Sequence, residues 1–61
     1  MTPSREAQIA ADFRAEFAAA QRTPQGADIR AICEKLAHIY ATDWQTVDRI
    51  QQDAVTAQGA G

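Results

Sequence analysis

Glu34 and His38 stand four residues apart, the spacing that makes two side chains neighbours on a helix surface. A carboxylate and an imidazole placed this way can pair with each other or contribute to a metal site. A zinc site requires three or four protein ligands, however, and this pair supplies two. The helical wheel also places His38 opposite the apolar centre of its helix. We therefore expect an exposed surface pair and no metal site.

Cys33 is the single cysteine of the chain. It falls on the apolar side of its helix, whereas Arg30, three residues earlier, lies away from that side, and no other basic residue stands at a helical spacing that would lower the pKa of its thiol. We expect it to be a small core residue rather than a nucleophile. The sequence contains no glycine-rich phosphate loop, no Ser-His-acid set and no paired-carboxylate motif. These observations predict a protein that is not an enzyme, with no catalytic residues and no cofactor.

These residues belong to a stretch in which apolar side chains recur at i, i+3, i+4 and i+7. This spacing predicts an amphipathic helix, helix 2, over 28–41. One broad apolar side of the helix is formed by Ile29, Ile32, Cys33, Leu36, Ile39 and Tyr40.

The helix 2 pattern meets a charged residue at Asp43. In an unbroken helix, its carboxylate would lie within the apolar side without a partner, which is costly. Thr42 and Gln45 have the spacing of a capping box at a new helix start. We therefore expect a break at Thr42-Asp43 and a third helix over 43–56. The alternative is a two-helix hairpin, with 28–57 continuous, that pairs into a four-helix bundle.

Helix 1 is predicted over 3–22. Thr2 followed by Pro3 is typical of a helix start, and Ser4 is an alternative cap. A narrow apolar stripe, expected to pack in the core, is formed by Ile9, Phe13, Phe17 and Ala20.

The predicted fold is an all-α domain of three helices formed by residues 1–61, with 57–61 as a flexible tail. Pro24 and Gly26 set the turn between helices 1 and 2. A chain of 61 residues buries only about 60% of its unfolded surface. Many of its apolar residues are alanine, which adds little core volume. We therefore expect another protein or a second copy to cover part of the apolar surface, most simply in a homodimer.

The composition of the chain limits the kinds of partner that it can attract and indicates its cellular compartment. Six basic and eight acidic residues give a net charge of -2, which supplies no general attraction to phosphate. One cysteine forms no internal disulfide and fits a reducing compartment. The sequence has no apolar run of about 20 residues for a membrane span, and its first residues lack a signal-peptide layout. We expect a cytoplasmic protein.

The function predicted from these features is non-enzymatic protein binding, in a small regulatory or inhibitory protein that acts through helices 2 and 3 and self-association. Ile32 and Ile39 lie along one flank of the apolar side of helix 2, and Tyr40 shares that side. Trp44 opens helix 3 at the rim of the apolar side, where a tryptophan can anchor an interface or cover the core. These four residues form the predicted protein interface.

A second function is indicated by four residue pairs within 36–50. They resemble the generic helix-turn-helix pattern of phage and plasmid regulators: Leu36-Ala37, Tyr40-Ala41, Thr46-Val47 and Arg49-Ile50. The turn departs from the pattern, since Ala41 stands where glycine is usual and Thr42 where an aliphatic residue is usual.

This resemblance implies that helix 3 is a DNA recognition helix. Gln45, Arg49 and Gln52 would then point toward base edges, as side chains suited to adenine and guanine. Three carboxylates on or beside the same helix oppose the approach of a polyanion: Asp43, Asp48 and Asp53. DNA binding is therefore the alternative, and protein binding is the main prediction.

Overall fold

The computed structural model describes residues 4–59, which form three α-helices: α1 (Arg5–Gln21), α2 (Ile29–Ile39) and α3 (Trp44–Gly59). The predicted all-α, three-helix fold is confirmed. The alternative hairpin with 28–57 as one helix is wrong, because the chain leaves the helical path between α2 and α3. Residues 57–59, expected to belong to a tail, continue α3.

The N-cap of α1 is Ser4, whose extended backbone precedes the first helical residue. Its hydroxyl accepts the N–H of Ala7 at 3.1 Å, which satisfies one of the unpaired donors at a helix start. Ser4, which the sequence offered as the alternative to Thr2, is therefore the N-cap of α1. Thr2 and Pro3 lie outside the described residues.

The connection from α1 to α2 contains Gly26, which has a φ of +76°. Glycine adopts this left-handed conformation without the penalty that a Cβ atom would bring. The Gly26 N–H donates to the Thr23 carbonyl at 3.1 Å and closes the turn. Asp28 then caps α2, since its carboxylate accepts the N–H of Ala31 at 3.2 Å.

All three helices contribute to one core. Its buried residues are Ile9, Phe13, Ile32, Cys33, Leu36, Ala37, Val47 and Ile50. The half-buried residues packed against them are Ala10, Phe17, Ala20, Tyr40 and Trp44. The core placement predicted for the α1 stripe is thus confirmed for Ile9 and Phe13, whereas Phe17 lies at the edge of the core.

Two polar contacts join α1 to α2 at the surface. The Lys35 ammonium lies 3.0 Å from the Glu16 carboxylate, and the Tyr40 hydroxyl donates to the Asp12 carboxylate. The exposed ion pair of Lys35 with Glu16 stabilises the fold by about 0–1 kcal/mol. Apolar burial between the helices supplies most of the stability.

Candidate functional site

The turn between α2 and α3 is closed by a Schellman motif. The Thr42 N–H donates to the Ala37 carbonyl at 2.8 Å, and the Ala41 N–H donates to the His38 carbonyl at 3.4 Å. Ala41 has a φ of +56°, the only positive φ of a non-glycine residue within 4–59. The motif normally places glycine there, because a Cβ atom is disfavoured in this conformation. The break predicted at this corner is confirmed, with alanine in the left-handed position.

The start of α3 is capped by Asp43 rather than by the predicted pairing of Thr42 with Gln45. The Asp43 carbonyl accepts the first helical bond, from Val47 N–H at 3.3 Å. Its carboxylate accepts the hydroxyl of Thr46, and this hydrogen bond lowers the carboxyl pKa. Thr42 lies one residue before this cap position, and its N–H, which a capping box would bond to the Gln45 side chain, donates to the Ala37 carbonyl instead.

The predicted DNA-contacting residues, Gln45, Arg49 and Gln52, are all exposed and share one face of α3 by their spacing. The Asp48 carboxylate lies beside this face and accepts the side-chain amides of Gln51 at 3.0 Å and Gln52 at 3.1 Å. One donor group of Gln52 is thus already bonded to a carboxylate. Arg49 is the one basic residue of α3, so the face carries little positive charge.

Of the predicted protein-interface residues, Ile39 is on the surface and Ile32 is not. Ile39 is 59% exposed at the last residue of α2, whereas Ile32 is 7% exposed and belongs to the core. The expectation that both isoleucines line one free flank is therefore wrong. Ile32 is enclosed because the middle of α2 packs against both other helices, whereas Ile39 lies at the end of that contact.

Trp44 and Tyr40 are half-buried and pack against the core. The guanidinium of Arg30 lies 4.7 Å from the centroid of the Trp44 ring, a cation–π contact that covers one ring face. Arg30 also pairs with Glu34 at 3.2 Å. Trp44 thus covers the core, one of the two roles expected from its rim position, and Glu34 pairs with arginine instead of the neighbouring histidine.

Cys33 and His38 occupy the environments expected from the helical wheel. The Cys33 thiol is fully buried, and burial, followed by the negative charge of Asp48, raises its pKa. A thiol with a raised pKa is a poor nucleophile. His38 is exposed. Within residues 4–59, no three His, Cys, Asp or Glu side chains are placed to hold a metal ion, and none of these helices is long and apolar enough to cross a membrane.

A surface that the sequence analysis missed lies where α1, α3 and the start of α2 meet. We call it the apolar groove. It has a volume of about 220 Å³, and its apolar lining is Ala10, Phe13, Phe17, Ile29, Ala54 and Val55. Arg14 and Gln51 form its polar edge. Ile29 is 46% exposed and Val55 is 63% exposed. The sequence signal for this surface is Val55, a branched apolar side chain among the small and polar residues at the end of α3.

Comparisons with protein-family models, with curated proteins and with solved structures give no match.

Proposed function

We propose that this chain is a non-enzymatic protein-binding module that acts through exposed apolar side chains and self-association. The observation that supports the proposal is the clustering of exposed apolar surface. Single exposed apolar side chains are common on soluble proteins. Here Ile29 and Val55 lie on the same groove as the half-buried Phe17, so these exposed apolar side chains form a small cluster that a partner can cover.

In this proposal the module acts by covering a partner's surface, as a small regulatory or inhibitory protein of the cytoplasm. The contact surface differs from the one the sequence indicated. The apolar groove and the exposed Ile39 are available to a partner, whereas Ile32, Tyr40 and Trp44 mainly pack within the domain. Arg14 and Gln51 at the groove edge provide the polar rim that such interfaces have.

The alternative is a helix-turn-helix DNA-binding protein, and one observation favours it. Ala41 has a left-handed φ at the position where the helix-turn-helix pattern has glycine, and four residues separate α2 from α3. The charges on α3 oppose it, because Asp48 and Asp53 outnumber Arg49 on or beside the exposed face. Protein binding is therefore the better supported function.

Two measurements on the purified chain separate these functions. Protein binding predicts a concentration-dependent mass in solution and no shift of mixed-sequence duplex DNA at low salt. DNA binding predicts a shift that weakens steeply with added salt. In that case Arg49→Ala abolishes the shift, and Asp48→Asn strengthens it by removing a like charge from the DNA-facing side. A salt-sensitive shift with this mutational pattern would overturn the proposal.

A further inference from the structure

We infer that α3 exchanges between two copies of this chain, with the turn between α2 and α3 as the hinge. In such a pair, each copy packs its α3 against α1 and α2 of the other, so the contacts within one domain form again between chains. The exchange needs no additional surface and is independent of the apolar groove. It goes beyond the proposed function, because it concerns how the domain opens rather than what its surface covers.

The turn between α2 and α3 is strained at one residue. Ala41 has a φ of +56°, a conformation that is unfavourable for a residue with a Cβ atom. The turn between α1 and α2 has its positive φ at Gly26, which carries no Cβ atom and is not strained by it. A short hinge under strain favours exchange, because opening returns the hinge residue to an ordinary φ. The strained turn is the one beside α3, so α3 rather than α1 is the helix expected to exchange.

Apolar packing holds α3 against the other two helices. Its buried residues within the described part of the chain are Val47 and Ile50, and the half-buried Trp44 contacts Arg30 of α2. Among the described side chains, no hydrogen bond or ion pair joins α3 to another helix, whereas α1 and α2 share one of each. An open chain exposes Val47 and Ile50 together with the core they leave, so it is stable only when the α3 of a second copy fills that core.

The strain at Ala41 sets the concentration at which a second copy competes with the closed chain. A short connection holds a segment beside its own site at an effective concentration on the order of mM. With equal contacts, a second copy competes at a similar concentration. Release of the strain favours opening by at least about 5-fold per chain, and by about 30-fold per dimer because two turns open. The exchanged dimer is therefore expected to be populated at about 0.1 mM.

The test compares Ala41→Gly with Ala15→Gly by sedimentation equilibrium of the full chain at up to about 1 mM. Glycine at position 41 removes the strain of the closed turn and is expected to weaken dimerisation about 30-fold. Glycine at position 15, an exposed site in the middle of α1, weakens this helix equally in both forms. It is expected to change dimerisation by less than about 3-fold. Ala41→Val is expected to strengthen dimerisation, because a β-branched residue is strongly disfavoured at positive φ.

Nuclear magnetic resonance identifies which copy supplies each α3. Isotope-labelled and unlabelled chains are refolded together from urea at about 1 mM, and isotope-filtered Overhauser contacts are recorded between the two kinds of chain. Exchange predicts that Val47 of one chain contacts the core residues of α2 in the other, since Val47 belongs to the same core. Contacts of Val47 that occur only within one chain would overturn the inference.

A wild-type chain that stays monomeric up to about 1 mM would also overturn the exchange, as would a dimer whose affinity is the same in Ala41→Gly. A dimer that is insensitive to position 41 leaves the proposed function intact, because its contacts then belong to the exposed apolar surface. The proposed function fails separately, on salt-sensitive binding of DNA, and that result has no bearing on the exchange.

Discussion

Replacing Ala41 with glycine should stabilise the domain, although glycine usually destabilises helical proteins. Ala41 has a φ of +56°, and an L-residue with a Cβ atom loses about 1–2 kcal/mol in this conformation. Glycine removes that penalty but adds about 0.4–1 kcal/mol of conformational entropy to the unfolded chain. The expected net gain is about 1 kcal/mol, which raises the Tm of a domain this small by about 4–8 °C.

Thermal unfolding followed by circular dichroism measures this gain. The wild type and the variant must be compared at one protein concentration, because association makes Tm depend on concentration. Ala15→Gly, at an exposed position in the middle of α1, is the matched control and should lose about 1 kcal/mol. Ala41→Val should also destabilise, because a β-branched residue is strongly disfavoured at positive φ. If Ala41→Gly were neutral or as harmful as the control, the left-handed turn would be refuted.

Three further predictions follow from the fold. Gly26→Ala should destabilise by about 1 kcal/mol in urea unfolding, because no neighbour blocks a Cβ atom but the φ of +76° disfavours one; an unchanged midpoint would contradict this. Leu36→Ala should cost about 2–5 kcal/mol and leave the domain close to unfolded by circular dichroism, since Leu36 is at the centre of the core; a mild loss would show a loosely packed core. The hydrogen bond to Asp12 raises the pKa of Tyr40, the single tyrosine. The stability it contributes is present below the unfolded tyrosine pKa of about 10 and is lost as pH rises through the folded pKa. Ultraviolet titration of tyrosinate should show Asp12→Asn lowering this pKa, and an unchanged value would exclude the contact.

The number of helices and their approximate bounds were predictable, because the chain is interrupted by residues that end or start a helix. Pro24 and Gly26 interrupt the chain once, and Asp43 interrupts the apolar pattern a second time. A carboxylate that cannot remain in the apolar side of a helix is a strong signal for a break, even without glycine or proline. The detailed cap was harder to predict. The side chains of Thr42 and Asp43 both suit an N-cap position. Which residue becomes the N-cap of α3 depends on the turn that ends α2, and this turn includes Thr42.

The candidate site was less predictable because it depends on the angles between helices. A helical wheel places Ile32 and Ile39 on the same side of α2, but only the packing of α1 and α3 decides that one is enclosed and the other exposed. The apolar groove is likewise formed by residues far apart in sequence, such as Phe17 and Val55. Hydrophobic periodicity identifies the apolar face of each helix, but it does not predict the groove that forms where three helices pack together.

Sedimentation equilibrium of the unmodified chain at low salt and at about 0.5 M salt tests the central claim most directly. The claim is that exposed apolar surface, rather than charge, directs what this domain binds. Apolar contacts are not screened by salt, whereas exposed charge pairs are. We expect a dimer whose affinity is unchanged or higher at high salt. A strict monomer at every concentration, or a dimer that dissociates as salt is added, would contradict the account.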